Sequence, residues 1–190
     1  MPKPYSKPHP PIRIAANREE SFVSAAKHGF GIFVGARRGT FDEVLPNLRI
    51  YRDAWKAAGH PGEGEVYLRA PVYVGDTIDQ ALSDPEESLM TFYRYLGARL
   101  EESANRPGIF DTERRVEGAQ RLQTLTWDEA RRGRAIVGTS EIVADNLASL
   151  RDQLGLAGIL AELNTGGLIP HERVMRSMQL LCEKVQPRLH

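Results

Sequence analysis

Short apolar runs bounded by turn residues alternate along the chain with longer segments whose apolar positions keep helical spacing. The runs predict four buried strands, at residues 12–16, 30–35, 66–74 and 156–163. Continuous runs of this kind are typical of parallel strands covered on both faces. Strands that alternate with helices predict a parallel α/β architecture with right-handed crossovers. Two arrangements stay open, an open doubly wound sheet and half of an eight-stranded barrel, because a complete (β/α)8 barrel takes about 250 residues.

Capping residues predict where several helices begin. Three pairs have the spacing of a capping box: Asn17 with Glu20, Thr40 with Glu43, and Thr126 with Glu129. Pro170 is expected to open the last helix, and Pro187 to end it. The first of these boxes places a tight turn directly between a strand and a helix.

Residues 77–133 interrupt the regular alternation and are predicted to be an irregular insertion within one domain, residues 1–190. A helix is expected around Leu89 to Leu100. The stretch 103–123 is polar and contains the turn Pro107-Gly108, so it predicts a mobile loop.

Charge and cysteine content exclude several classes of function. The 25 basic and 25 acidic residues cancel, which removes the general attraction to nucleic acids and acidic membranes. The single cysteine, Cys182, excludes an internal disulfide framework and a multi-cysteine zinc site, and it is expected to be a small buried hydrophobe. No apolar run reaches the ~18 residues of a membrane span, and residues 1–11 lack the apolar core of a signal peptide. These features favour a cytoplasmic protein.

The strand-to-helix turn Ala16–Ser21 is the best candidate for chemistry. Backbone N–H groups at a helix N-terminus, the positive end of the helix dipole and the guanidinium of Arg18 together suit a phosphate. The same pattern also fits an ordinary helix cap with solvated charges. The glycine-containing turns 35–40 and 164–167 also follow strands, and each fits either a ligand contact or a plain loop.

No residue can be assigned to catalysis from its spacing. The five histidines show no metal-ligand spacing, and the chain has no G-x-S-x-G motif. The sequence therefore predicts no metal site and leaves the catalytic residues unknown.

Four segments in order resemble the C-terminal half of the luciferase-like monooxygenases, a flavin-dependent (β/α)8 family that includes bacterial luciferase. They are the proline-rich stretch 7–12, the turn and helix 15–29, the stretch 137–143, and residues 166–187. The stretch 137–143, VGTSEIV, is similar to the family's G-T-P-E-x-V, with Ser140 where the family usually has proline. Arg18 stands where the family often has serine.

The resemblance implies that the chain forms strands five to eight of a TIM barrel, the C-terminal half. The family's flavin phosphate is held by the turn after strand five, which is here Ala16, Asn17, Arg18 and Ser21. The expected cofactor is FMN, and reduced flavin with dioxygen would oxidise an unidentified organic substrate. A deazaflavin-dependent oxidoreductase of the same superfamily is one alternative, and a non-catalytic half-barrel subunit or ligand-binding module is another.

The resemblance leaves strands one to four without a counterpart in the chain. An isolated half-barrel is expected to be inactive, because it exposes strand edges and an interior that a complete barrel covers. The expected partners are therefore a second copy, in a homodimer, or a missing N-terminal half-barrel, together with flavin and a small organic substrate.

Overall fold

The computed structural model describes residues 3–7, 9–36, 39–106 and 111–189. Its strands are β1 (Arg13–Ala15), β2 (Gly31–Gly35), β3 (Val66–Val74), β4 (Ile136–Gly138) and β5 (Gly158–Glu162). Its helices are α1 (Glu19–Lys27), α2 (Leu45–Ala57), α3 (Ile78–Ser83), α4 (Glu86–Ala104), α5 (Thr112–Gln123), α6 (Trp127–Gly133), α7 (Ser140–Leu154) and α8 (His171–Leu180). The alternation of strands and helices confirms the predicted α/β class.

The chain divides into two compact units, each assembled from separate segments. The first unit comprises Met1–Gly35, Phe41–Arg69 and Leu150–Leu160. The second comprises Ala36–Thr40, Ala70–Ser149 and Ala161–His190.

A parallel sheet organises the first unit. β1 pairs with β2, with Ala15 opposite Phe33, and β2 pairs with the first part of β3, with Gly35 opposite Arg69. β5 also pairs with β3, and the N–H of Ala157 donates to the carbonyl of Val66 at 2.8 Å. Among the described strands β1 has β2 as its single neighbour, so its other edge carries unpaired backbone groups.

One face of this sheet is the packed core of the first unit. Ile32, Val66 and Leu68 on this face are fully buried. Phe22, Ala25 and Ala26 of α1 and Leu48 and Tyr51 of α2 are buried in the same unit. Burial of this kind provides the dominant favourable term in folding.

The opposite face of the same sheet is less covered, and we call it the open face. Successive side chains of a strand point to opposite sides, so residues two apart share a face. The open face carries Arg13 and Ala15 of β1, Phe33 and Gly35 of β2, Tyr67 and Arg69 of β3, and Gly158 and Leu160 of β5. Leu160 is 47% exposed, whereas Phe33 and Tyr67 are half-buried. An apolar leucine on an uncovered sheet face is a site where a further layer of protein would gain buried area.

The second unit has its own core and its own strand pair. β3 continues through Val74, and its last residues pair in parallel with β4, with Tyr73 opposite Val137. β4 is a fifth strand that the four-strand prediction did not include. The core of the second unit consists of Tyr73, Leu89, Met90, Tyr93, Leu100, Ala119, Leu122, Ala130, Ala135, Val137 and Ile169. Ser177 of α8 is fully buried, and its hydroxyl accepts a hydrogen bond from the N–H of Val74 at 2.8 Å.

The predicted loop over 103–123 is wrong for residues 112–123, which form helix α5 packed against α4. Ala119 and Leu122 of α5 are buried. Gly97 of α4 makes this packing possible, because a Cβ atom there would lie 3.3 Å from the Ala119 carbonyl oxygen. A mostly polar helix with a narrow stripe of small and apolar residues gives a weak sequence signal. The turn Pro107-Gly108 lies outside the described residues.

The observed helix starts agree in part with those predicted from the sequence. The capping box of Thr126 with Glu129 is confirmed, and Pro170 directly precedes α8. The box predicted at Thr40 is absent from the structure: Asp42–Val44 form a 3-10 turn and α2 begins at Leu45, followed by Pro46.

The end of the chain also departs from two expectations. After α8 a π-helical turn, Leu181–Val185, and a 3-10 turn, Gln186–Arg188, carry the backbone past Pro187. Cys182 lies on the π-helical turn and is exposed, so the prediction of a buried cysteine is wrong. The general tendency of free cysteines to be buried does not determine which side of this turn the residue occupies.

Within the described part of the chain, no helix is long and apolar enough to cross a membrane.

Candidate functional site

The turn between β1 and α1 brings three of the four predicted site residues together. The N–H of Ala16 still belongs to the sheet and donates to the carbonyl of Phe33 at 2.9 Å. The backbone of Arg18 is extended, with φ −135° and ψ 151°, and α1 begins at the next residue. Asn17 and Arg18 are exposed and Ser21 is half-buried, whereas Ala16 is 5% exposed. Ala16 is therefore buried beneath the turn, with its N–H bonded within the sheet.

Ser21 is the residue that caps α1. Its Oγ accepts hydrogen bonds from the N–H groups of Asn17 at 3.2 Å and of Arg18 at 3.1 Å, and donates to the carbonyl of Arg18 at 2.6 Å. The prediction had Asn17 as the cap and Glu20 as its partner. In the structure the box is displaced by one residue, with Arg18 at the cap position, and the bonds are made by the side chain of the later residue, Ser21. A serine at the third helical position can bond backward to the cap, as glutamate or glutamine does in the usual box.

The same hydrogen bonds change the prediction that the N–H groups of the turn are free. In this structure the two N–H groups converge on a single oxygen atom, the Ser21 hydroxyl. Successive N–H groups that point to one place form a concavity in which an anion's oxygen can bind. Rotation of Ser21 about its Cα–Cβ bond would vacate that place for a phosphate oxygen.

The charges around the turn are mixed. Arg18 adds a guanidinium at the N-terminus of α1, where the helix dipole favours negative charge. Glu19 and Glu20 in the first turn are exposed and already supply negative charge there. An anion at the turn therefore has to compete with two solvated carboxylates, and Arg18 is the residue that offsets them.

A polar network lies on the open face at the amino end of its strands. The guanidinium of Arg13 donates to Glu65 Oε2 at 2.8 Å and to the Tyr67 hydroxyl at 2.9 Å, and it lies 4.4 Å from the centre of the Tyr67 ring. Phe33 packs against Tyr67, with ring centres 5.5 Å apart. Arg13 is thus held by hydrogen bonds and by a cation–π contact, and it occupies the end of the face farthest from the turn.

Sequence reasoning missed the open face, although its signal was present. Residues 66–70 read Val-Tyr-Leu-Arg-Ala, in which larger polar groups alternate with aliphatic ones. Alternation of this kind marks a strand with two different faces. Residues 66–74 were predicted as one strand, and its two faces were not distinguished.

A groove of about 250 Å³ runs along α1 on the side of β1. It is lined by Ile14, Ser21, Ser24, Ala25, His28 and Phe30. The groove touches the turn at Ser21 and leads away from it to His28 and Phe30, whose rings stack with centres 5.8 Å apart. It is smaller than a typical ligand pocket and mostly apolar, so it fits a packing partner better than a cofactor.

The turn 164–167 belongs to the second unit, whereas the turn 35–40 begins in the first unit at Gly35 and continues in the second. In 164–167 the Asn164 side chain bonds to both backbone groups of Ile169, and Ser88 Oγ donates to the Thr165 carbonyl at 2.7 Å. This loop is fixed by protein contacts rather than held open. Arg37 and Arg38 of the turn 35–40 lie outside the described residues. Among the described residues no group of three or more His, Cys, Asp or Glu side chains could hold a metal ion.

Comparison with known proteins gives a consistent result. A family model described as luciferase-like monooxygenase matches residues 1–157. The monooxygenase RslO1 from Streptomyces bottropensis is similar to the chain at 26% identity, with a TM-score of 0.63, over 100% of this chain and 51% of its own. No protein of curated function matches the chain.

Two further solved structures share the fold. The oxygenating constituent of 3,6-diketocamphane monooxygenase from Pseudomonas putida, in complex with FMN, matches at 18% identity and a TM-score of 0.71, over 96% of this chain and 50% of its own. The coenzyme F420 dependent tetrahydromethanopterin reductase from Methanopyrus kandleri matches at 14% identity and a TM-score of 0.63, over 95% and 51%. The chain spans about half the length of these structures.

Proposed function

The chain belongs to the luciferase-like monooxygenases, and we propose that it is the C-terminal half-barrel of a flavin-dependent monooxygenase that oxidises a small organic substrate. The single observation that carries this proposal is the convergence of the Asn17 and Arg18 N–H groups on one oxygen atom, beside an exposed guanidinium. That donor set fits the phosphate of FMN, which would take the place now held by the Ser21 hydroxyl.

Each residue of the turn has a distinct role in this proposal. The N–H groups of Asn17 and Arg18 would bind the phosphate, and the Arg18 side chain would add a charge-assisted hydrogen bond. Ser21 would rotate, and its hydroxyl would donate a hydrogen bond to a phosphate oxygen. Reduced flavin, when bound, supplies the electrons that let dioxygen oxidise an organic molecule, and the protein's part is to orient the flavin and keep water away.

A deazaflavin cofactor is the second candidate, and a specific observation favours it. The structural neighbours include proteins whose names state coenzyme F420, beside one in complex with FMN. A deazaflavin at the same turn would make the protein an oxidoreductase of the superfamily without oxygen chemistry. Arg18 suits either cofactor, because both offer an anion to the turn.

The half-barrel interpretation rests on three features of the first unit. β1 has an unpaired edge among the described strands, the open face exposes Leu160, and the groove beside β1 is apolar. Each would be covered if a parallel strand and its helix packed beside β1 and a further sheet closed over the open face. The partner in this proposal is an N-terminal half-barrel or a second copy of the chain.

Flavin binding by the 190-residue chain tests the proposal. FMN and riboflavin should be titrated into the native protein, Arg18→Ala, Ser21→Ala and the control Arg49→Ala, which removes an exposed arginine of α2. Arg18→Ala is expected to weaken FMN binding about 10- to 100-fold, because a hydrogen bond to a charged group contributes about 1.5–3 kcal/mol. Riboflavin binding should not change, since riboflavin has no phosphate.

Two results would contradict the assignment of the turn. Equal losses for FMN and riboflavin in Arg18→Ala would place the arginine at the ring rather than at the phosphate. An equal loss of FMN binding in Arg49→Ala would show a general charge effect.

A further inference from the structure

We propose that Arg69 binds an anionic group of the ligand on the open face, at a position separate from the phosphate turn. The inference rests on the proposed function, because it takes the open face as the side that the ligand meets. The anion would come from the organic substrate or from the ring of the reduced flavin.

The register of the sheet sets the height of Arg69 on the open face. Three layers of side chains cross this face from the amino to the carboxyl ends of the strands. Arg13 and Gly31 form the first, Ala15, Phe33 and Tyr67 the second, and Gly35 and Arg69 the third. Arg69 therefore lies beside Gly35, the last residue of β2, at the level of the turn at Asn17, whereas β3 itself continues to Val74. Ligands of parallel α/β proteins bind at this end of the strands.

The neighbour of Arg69 on β2 is Gly35, which places no side chain of its own beside the arginine. A Cβ atom at Gly35 would lie 3.0 Å from the Arg69 carbonyl oxygen and 3.9 Å from the Arg69 Cβ. Adjacent strands lie about 4.8 Å apart, so β1 and β3 are roughly 10 Å apart across Gly35. A ligand bound there would lie above Phe33 and Tyr67, which form an aromatic floor one layer below.

The two arginines of the open face differ in position. Arg13 bonds to Glu65 and stacks on Tyr67, at the amino end of the strands. Arg69 is half-buried, opposite the last residue of β2 and above the aromatic floor. Half-burial reduces the solvent screening of the guanidinium charge, so its interaction with an anion is stronger than between the same charges in water. Arginine also presents a planar fork of donors that matches a carboxylate or a sulfonate.

Nuclear magnetic resonance of the ¹⁵N-labelled full chain tests the proposal. The arginine Nε–H signal of Arg69 is assigned from its absence in Arg69→Lys, and that of Arg13 from Arg13→Lys. Two probes are titrated separately: methanesulfonate, a small organic anion, and riboflavin reduced with dithionite, which has no phosphate. Ethanol serves as the uncharged control.

Saturable shifts of the Arg69 signal and of the Gly35 amide are expected with one probe, and no shift of the Arg13 signal. Arg69→Gln should raise the dissociation constant for that probe at least tenfold, as read from the Gly35 amide. Arg69→Lys keeps the charge and should raise the dissociation constant less. It also provides a folded variant for the comparison if Arg69→Gln unfolds. Arg13→Gln should leave it unchanged. A response to methanesulfonate assigns the anion to the substrate, and a response to reduced riboflavin alone assigns it to the flavin.

The proposal is overturned if neither probe shifts the Arg69 signal, or if Arg13 and Arg69 respond equally. FMN separates this failure from failure of the proposed function, because its phosphate should shift the amides of Asn17 and Arg18. Shifts there with none at Arg69 would leave the flavin site standing and remove the role of Arg69.

Discussion

The hydroxyl of Tyr73 donates a hydrogen bond to Asp84 Oδ2 at 2.7 Å. The side chain of Asp84 is 6% exposed and also pairs with Arg173 of α8. Burial and this hydrogen bond raise the pKa of Tyr73 well above its ordinary value. The three residues thereby join β3, the end of α3 and α8 within the second unit.

Tyr73→Phe is expected to lower the free energy of unfolding by about 1.5–3 kcal/mol, because it removes a hydrogen bond to a buried charged group. Urea denaturation followed by circular dichroism measures the change. Tyr95→Phe is the matched control, since the Tyr95 side chain is 61% exposed on α4. Equal effects of the two substitutions would show that the hydroxyl of Tyr73 contributes nothing particular.

Asp76 makes the stability of the fold depend on pH in the acid range. Hydrogen bonds from Arg176 hold the pKa of the Asp76 carboxyl below its ordinary value of 3.8. A carboxyl whose pKa is lower in the folded state stabilises the fold above its unfolded pKa, and that stabilisation is lost as the pH falls through the folded pKa. Arg176→Gln should therefore raise the pKa of Asp76 toward 3.8 and flatten the loss of stability below pH 3.8.

Carboxyl ¹³C shifts followed from pH 6 to pH 2 measure this pKa. Arg151→Gln, which removes an exposed arginine of α7, is the control and should leave Asp76 unchanged. An unaltered Asp76 titration in Arg176→Gln would refute the prediction.

Gly97 sets the distance between α4 and α5. Gly97→Leu should destabilise the second unit by about 1–3 kcal/mol, because the added side chain would meet Leu122 and the Ala119 carbonyl. Hydrogen exchange of the α5 amides should become faster than in the native protein. Ala98→Leu places the same side chain at an exposed position of α4 and should have little effect. Fast exchange of α5 in the native protein would mean that the helix is not held by this contact.

The open face and the edge of β1 predict the behaviour of the chain alone. Each large apolar side chain left in water forgoes ~1.5–3 kcal/mol, against a net domain stability of ~5–15 kcal/mol. We therefore expect self-association or aggregation, and no turnover of reduced flavin with a substrate. Sedimentation velocity, repeated with Leu160→Lys, measures the association. A monodisperse monomer with oxygen-dependent turnover would contradict the half-barrel interpretation, and association unchanged by Leu160→Lys would exclude the open face as its cause.

The sequence predicted the elements that local chemistry determines. Strands rich in β-branched residues, the box at Thr126 and the start after Pro170 all depend on neighbours within a few residues. Helix α5 escaped prediction because Ala119 and Leu122 owe their burial to Gly97, a contact between distant segments. Cys182 was predicted to be buried from the general tendency of free cysteines, and that tendency does not determine which side of a helical turn one residue occupies.

Prediction of the candidate site was limited in the same way. The location of the turn follows from a strand that meets a helix at residues 16–19, which the pattern shows. Which residue caps it depends on hydroxyl geometry: Asn17 and Ser21 are both good hydrogen-bonding residues, and Ser21 accepts the bonds. The open face needed the strand register, which pairs Gly35 with Arg69 and cannot be read from one strand.

The division of the first unit among separate segments has a consequence for synthesis on the ribosome. β3 is complete long before its neighbour β5 exists, because the 83 residues 75–157 are translated between them. At about 5–20 residues per second this delay lasts roughly 4–16 s. During that time one side of β3 in the first unit has no strand to pair with, and the nascent chain can recruit a wrong strand in its place. Slow codons within 70–149 would lengthen this vulnerable period, and a chaperone that binds extended apolar segments would have its natural target at residues 66–69.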